Sequence, residues 1–243
     1  MTKLLSDLFG GYSKIERPGL LAKLNIFLFA KAFGIDFSDA VKIKFTSLYD
    51  MFTREIARDL SHVEPHNFIH PVDGGLVSYG RVSDGHIFLV KGKEYLLNEL
   101  VGEEEAGLHK NSYFYNYYLS PKDYHRVHHP VGGSFLKTYL IDGALYPVAG
   151  WFVNLCPNVF VKNARTVSVV ESLAHGRVVT VMIGALNVGS LEMKKGFFSE
   201  PQAEPVTVGE HLGTFGLGSS VVILTSKRLD VEIGKTLFSE VIG

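Results

Sequence analysis

The sequence predicts an α+β chain: an N-terminal helical arm followed by a β-rich domain of sandwich or barrel-like architecture. Three observations carry this. The first 60 residues hold helix start and stop signals. From about His70 the chain becomes a series of short β-rich runs separated by glycines. No repeat, low-complexity tract or Pro/Ser-rich linker divides the β-rich part, so two units are expected, residues 1–60 and residues 61–243. Composition agrees. With 243 residues, 24 basic and 25 acidic side chains and 46% hydrophobic content, the chain is neither disordered nor a strongly basic nucleic-acid binder. The lone Cys156 leaves no intramolecular disulfide and no multi-cysteine metal site.

The arm comes first. Pro18 stands where a helix start tolerates proline, and Gly34 where a helix end prefers glycine. The helix between them is apolar but interrupted by Lys23 and Lys31, and it lacks the order of a signal peptide. The mean hydropathy of +0.14 raises the question of a membrane. A spanning helix needs about 20 mostly apolar residues. The longest uncharged stretch, 143–161, contains Pro147, Pro157, Asn154 and Asn158 and no helical period, so it does not qualify. Residues 1–35 carry five basic side chains and two acidic ones. Two readings of this helix stay open: one lying in the interface of an anionic membrane, the other buried against the rest of the protein.

Two shorter helices are expected next. Asp36 caps one through about Lys42, and Ser47 with Asp50 forms a capping box for another through about Ala57. The β-rich runs are 76–79, 86–90, 113–119, 135–141, 159–161, 167–170, 178–183 and 221–224.

Three features could carry chemistry. The segment Asp123-Tyr124-His125-Arg126-Val127-His128-His129 places three of ten histidines within five positions. Histidine titrates near neutral pH and its neutral ring ligates metals. A polar surface loop is the plain alternative, and a metal site would add a carboxylate such as Asp73 to His125 and His129. Asp73-Gly74-Gly75 reads by itself as a turn. Gly216-Leu217-Gly218-Ser219-Ser220 precedes an apolar run. It lacks the last glycine of a nucleophile elbow and the lysine of a phosphate-binding loop, so by itself it reads as a glycine-rich hairpin turn.

Taken together and in order, these segments resemble the bacterial, pyruvoyl-dependent phosphatidylserine decarboxylases. Phe52-Thr53-Arg54-Glu55-Ile56 resembles the family's FTR-type segment. Pro71-Val72-Asp73-Gly74 resembles its P-x-D-G motif. Lys91-Gly92-Lys93-Glu94-Tyr95-Leu96-Leu97 is similar to K-G-x-x-Y-s-l. Residues 118–128 closely resemble Y-L-S-P-x-D-Y-H-R-x-H. Asn187-Val188-Gly189-Ser190 resembles a V-G-S segment, and Leu217-Gly218-Ser219-Ser220 the L-G-S-T processing site. The histidine segment and the processing site are the specific ones. Departures are Ser220 for threonine, Gly216 for a frequent lysine, a short spacing between Ser190 and Gly213, and Ala164 where the family often has the glutamate of N-E-R. The missing glutamate puts in doubt any salt bridge carried over to that spot.

The resemblance implies a proenzyme that cuts itself between Gly218 and Ser219. Ser219 attacks the Gly218 carbonyl, His128 is the base that frees its proton, and Asp73 holds the tautomer of His128, in triad logic. Elimination and loss of ammonia turn residue 219 into a covalent pyruvoyl group. That group forms a Schiff base with phosphatidylserine and acts as the electron sink as carbon dioxide leaves, giving phosphatidylethanolamine. His125 is the implied proton donor and substrate contact. No metal or external cofactor is implied. The partners implied are the lipid substrate, a membrane surface reached through residues about 18–35, and a heterodimer of the chain's own fragments 1–218 and 219–243. No nucleic acid is implied. The expected location is the cytoplasmic face of the cell membrane, which suits a reduced Cys156. The rival readings are a pyruvoyl-dependent decarboxylase of another amino-acid-containing substrate, a metal-dependent hydrolase using Asp73, His125 and His129, and a non-enzymatic membrane-binding module.

Overall fold

A computed structural model describes residues 11–16, 19–90, 93–185, 191–198, 202–216 and 219–242, apart from the side chains of Ala22, Phe88 and Val90. The expected helical arm is present but shorter in its second half. Helix α1 (Gly19–Phe33) spans most of the stretch expected for it. Helix α2 (Leu48–Phe52) starts as predicted, with the Ser47 side chain accepting the Asp50 amide at 3.1 Å. It stops at Thr53, not near Ala57, because Ala57 turns back to donate its amide to Asp39. The helix expected over 36–42 does not form. The Asp36 carboxylate instead caps a tight turn by accepting the amide and hydroxyl of Ser38, and Ala40 bridges Ile56 as an isolated β pair. Ile26 and Phe29 of α1 pack on Phe45, Leu48, Met51 and Phe52, a small core separate from the main one. The other side of α1 leaves Leu20, Leu21, Leu24, Phe27 and Leu28 at least half exposed. Among the described residues, no helix is long and apolar enough to cross a membrane.

The β-rich region is built mainly from one eight-stranded antiparallel sheet. Its strands are β2 (Gly74–Arg81), β5 (Tyr113–Leu119), β7 (Gly133–Ile141), β8 (Arg165–Ser172), β9 (Gly176–Ile183), β11 (Glu204–Val206), β13 (Ser219–Thr225) and β14 (Gly234–Thr236), in the order β11-β7-β8-β9-β13-β5-β2-β14. The sheet has two ends and does not close into a barrel. A three-stranded sheet joins β6 (Arg126–His128), β12 (His211–Phe215) and β10 (Leu191–Met193). Two ribbons complete the fold, β3 (His86–Val90) with β4 (Lys93–Leu96) and β1 (Phe68–Ile69) with β15 (Val241–Ile242). β13 is central, paired on one side with β5 and on the other with β9, and all seven of its residues are buried. A strand covered on both faces reads as a continuous apolar run, and Val221–Leu224 is one. The run 159–161 is not a strand. Asn158 takes a left-handed conformation and Val159–Lys162 forms a helical turn, α6, following α5 (Gly150–Leu155).

Ala164, where a glutamate is frequent, precedes a buried arginine. Arg165 is buried, and its guanidinium donates to the carbonyls of Leu100 at 2.7 Å, Val161 and Asn163 at 2.8 Å, and Glu99. All four acceptors are backbone carbonyls.

A buried ion cluster ties the helical turn α4 (Glu103–Leu108), which follows α3 (Leu97–Val101), to the sheet. Glu105, fully buried, receives Lys137 of β7 at 2.9 Å and Arg177 of β9 at 2.7 Å. Burial pushes this carboxyl upward, but the hydrogen bonds from Arg177 and Lys137 outweigh it and hold Glu105 below the ordinary glutamate range. The ion cluster therefore stabilises the fold above that range and is lost as the pH falls through the lowered value. Glu105→Ala leaves two cations without their shared partner, and urea unfolding should show a loss of about 3 kcal/mol. A loss below about 1 kcal/mol, the worth of an exposed pair, would contradict this account.

Candidate active site

Strand pairing brings two distant connections to one place. β5 pairs with β13, and β6 pairs with β12. Residues 120–125 lead from β5 to β6, and residues 216–218 lead from β12 to β13. The two connections therefore cap the same end of the two paired sets, and the Phe215 amide donates to the His125 carbonyl at 3.0 Å. The first connection is pinned from within, since Asp123 Oδ2 accepts the Ser120 amide and hydroxyl, each at 2.7 Å. On the second, Leu217 and Gly218 lie outside the described residues, as do Asn187-Val188-Gly189-Ser190.

Ser219 opens β13 opposite Leu119. It is fully buried, and its Oγ finds no hydrogen-bond partner among the described residues. Leaving a buried hydroxyl unpaired costs about 1–3 kcal/mol, a cost this serine shares with Thr166 and Tyr95 among the described residues.

His125 and His128 are buried and neutral. His125 Nδ1 donates to the Asp123 carbonyl at 2.8 Å, and its ring meets the Phe52 ring edge-on at 5.6 Å. Burial lowers its pKa to about 4. His128 Nδ1 donates to the Gly209 carbonyl at 2.8 Å, which leaves Nε2 as the basic nitrogen, 3.2 Å from the Tyr124 hydroxyl. Its ring lies flat on Phe238 with centroids 3.9 Å apart, and burial lowers its pKa to about 3. Gly209 has a φ of +79°, and a Cβ there would meet Leu60 at 2.7 Å, so only glycine offers this carbonyl to His128 without strain.

Asp73 does not hold the tautomer of His128 in this structure; the Gly209 carbonyl does. The Asp73 carboxylate instead receives the Phe238 amide at 2.8 Å on Oδ1 and the Arg58 guanidinium on Oδ2. Arg58 also lies over the Phe238 ring, 5.4 Å from its centre. Asp73 and His128 therefore meet through Phe238, one gripping its backbone and the other stacking on its ring. Burial raises the Asp73 pKa, and the Phe238 amide and the Arg58 charge oppose that rise. Gly74 follows because a Cβ there would lie 2.7 Å from the Tyr118 carbonyl of β5.

A cavity of about 750 Å³ opens beside Asp73, Arg58 and Tyr124, and Ser219, His125 and His128 are not among its lining residues. Asp36, Asp39, Asp73 and Asp123 line it together with Arg54, Arg58, Lys122 and Lys235, and Tyr118, Ser120 and Tyr124 complete the wall. The Phe52–Ile56 segment braces it from below. Arg54 faces the cavity, while the Thr53 carbonyl and the Glu55 carboxylate hold Arg126 at 2.9 and 2.7 Å. Arg58, Gly209 and Phe238 carry no sequence signal. Tyr124 lies inside the histidine segment and is legible there only as part of it.

The metal arrangement is not formed. His129 packs on Phe135 with its Nδ1 unpaired, and Asp73 is engaged by Arg58. Among the described residues, no group of three His, Cys, Asp or Glu is placed to hold an ion.

Comparison with known proteins is consistent over most of the chain. The family model for phosphatidylserine decarboxylase matches residues 48–240. A phosphatidylserine decarboxylase proenzyme of Shewanella sp. (strain W3-18-1) is 33% identical over 247 residues, covering 92% of this chain and 85% of its own length. That of Psychromonas ingrahamii is 34% identical, covering 93% and 85%. That of Acinetobacter baumannii is 32% identical, covering 92% and 83%.

The lowered histidine values have a measurable consequence. Nitrogen-15 NMR of the Ser219→Ala chain should show His125 and His128 neutral, with the proton on Nδ1, down to about pH 5, well above the values of about 4 and about 3 that burial sets. The unfolded chain takes these protons first, so their burial stabilises the fold above about pH 6.5 and loses that contribution as the pH falls toward the folded-state values. A doubly protonated ring near neutral pH, or a proton on Nε2 of His128, would contradict the geometry.

Proposed function

The chain belongs to the phosphatidylserine decarboxylase family, carboxy-lyases made as proenzymes, and from that premise we propose the roles of its residues. The bond to be cut is Gly218–Ser219. Ser219 Oγ attacks the Gly218 carbonyl carbon, its proton passes to a base, and the Gly218–Ser219 amide becomes an ester on the serine side chain. Loss of the α-proton of residue 219 then breaks the Cβ–Oγ bond and frees Gly218 as a carboxylate. Water replaces the nitrogen left on residue 219, which departs as ammonia, and residue 219 becomes the pyruvoyl end of a 219–243 fragment. The observation that carries this reading is the buried Ser219 hydroxyl without a partner among the described residues, held at the start of a strand paired on both sides. The pyruvoyl group supplies a carbonyl electron sink for the electrons released as carbon dioxide leaves the substrate.

His128 is the base for self-cleavage. Its Nε2 carries the lone pair, and burial keeps the ring uncharged. Asp73 acts on His128 through Phe238, as a positioning residue whose carboxylate fixes the amide of the residue stacked on the imidazole. His125 sits on the connection that meets Phe215 and returns a proton to the substrate after carbon dioxide leaves. The mixed-charge cavity suits the serine headgroup, which carries an amine, a carboxylate and a phosphate. The exposed apolar side of α1, with Lys23 and Lys31 on the helix, supports a role as a peripheral membrane anchor on the cytoplasmic face.

Ser219→Ala and His128→Ala should each remain a single chain on denaturing gels. His125→Ala should be cut but decarboxylate at least about a hundredfold more slowly, in the range of a lost general acid. An uncut His125→Ala chain would reverse the roles of the two histidines. For the anchor, Leu24→Glu with Phe27→Glu, both on the exposed side, should reduce sedimentation with anionic vesicles by about tenfold or more. Unchanged sedimentation would refute that role.

A further inference from the structure

We infer that a second, apolar cavity beside Ser220 receives an acyl chain of the lipid substrate, with helix α5 as its lipid-contacting roof. This rests on the reading of the substrate as a diacyl lipid and deepens it. The cavity has about 440 Å³, a size typical of a ligand site. Val77, Leu89, Val148, Val153, Phe160 and Ile233 make most of its wall, with uncharged polar groups of Ser78, Asn116 and Asn154 between them, in contrast to the charged cavity beside Asp73. The two cavities share Tyr118, which pairs across the sheet with Ser220. Successive strand residues face opposite sides, so the apolar cavity lies across β13 from the Ser219 side chain. Residue 219 lines neither cavity, but its chain neighbour Ser220 lines the apolar one. A headgroup in the charged cavity and a tail in the apolar one would thus lie on either side of Tyr118, one residue along β13 from position 219.

The outer face of α5 points to the same ligand. Val153 is buried against the cavity, while Trp151 is 66% exposed and Leu155 78% exposed. No charged residue occurs between 143 and 161. Lys93 from β4 fixes the end of α5 by donating to the Asn154 carbonyl at 2.8 Å and to the Val153 carbonyl. A rigid, uncharged element that shows a tryptophan and a leucine to the outside and an apolar cavity to the inside is suited to an acyl chain and its bilayer.

Trp151 is the chain's one tryptophan, so its emission reports this surface alone. The uncut Ser219→Ala chain is mixed with phosphatidylethanolamine–phosphatidylglycerol vesicles with or without brominated acyl chains. The inference predicts emission shifted to shorter wavelength and quenched by the brominated chains. Equal emission in both vesicles, or a chain that does not sediment with them, would overturn it. In a second measurement, Ile233→Asp puts a charge on the exposed rim of the cavity. After mass spectrometry shows that the variant is cut, kcat/KM for dioleoyl-phosphatidylserine relative to glycerophosphoserine should fall about tenfold or more. An unchanged ratio would overturn the inference. A wild-type chain that is never cut would instead count against the self-cleavage reading, which the Trp151 measurement does not require.

Discussion

A serine hydroxyl buried without a partner among the described residues, at the first residue of the most enclosed strand, is the constraint on which the rest of the structure depends. A free chain would relieve it by turning the hydroxyl toward water or a carbonyl. In β13 the residue is fully buried and its backbone is held by pairing with Leu119 of β5, so water does not reach the hydroxyl. Sheet pairing worth many hydrogen bonds and a fully buried apolar run thus offsets one orphaned polar group worth about 1–3 kcal/mol. The same pairing fixes which residues stand at that end. The connection from β5 to β6 carries His125, the connection from β12 to β13 ends at Ser219, and His128 stands at the other end of β6, opposite His211.

Around that serine, burial sets the chemistry more than charge does. Both histidines are pushed well below their ordinary range by loss of water, so each is a neutral ring whose Nδ1 proton goes to a backbone carbonyl. Backbone carbonyls, of Asp123 and Gly209, choose the tautomers. Charge is concentrated elsewhere, in the cavity where Asp73 meets Arg58. That division separates a region of charge from one in which neutral histidines and a buried serine are kept from water. Phe238 joins the two, with its amide on Asp73 and its ring on His128.

Much of this is legible in the chain itself, for physical reasons that differ from place to place. The run 113–119 forms β5 with the bounds its pattern predicts, because aromatic residues in succession suit a strand and little else there competes. The run 159–161 looks equally β-rich and folds as a helical turn, because Asn158 reverses the chain just before it. Asp36 suits a helix cap by sequence, but it closes a turn on Ser38, a choice that depends on the distant pairing of Ala40 with Ile56. In the site, Asp73, His125, His128 and Ser219 stand out by motif. The expected grip of Asp73 on the histidine ring is absent. Its actual partners, Arg58 and Phe238, lie 15 and 165 positions away and belong to no pattern in the chain. Gly209 is equally silent, since the reason for a glycine there is a contact with Leu60 and a carbonyl aimed at His128.

The central claim is that residue 219 is converted from a buried serine into the reactive carbonyl of the mature enzyme. The mass of the small fragment of the purified wild-type chain tests it most directly. The account predicts a fragment beginning at residue 219 and lighter by one ammonia than the peptide that starts with serine. A fragment with intact serine at its start would show hydrolysis without conversion, and an uncut chain that decarboxylates phosphatidylserine would show that Ser219 is not the source of the reactive group. Either result would contradict the account.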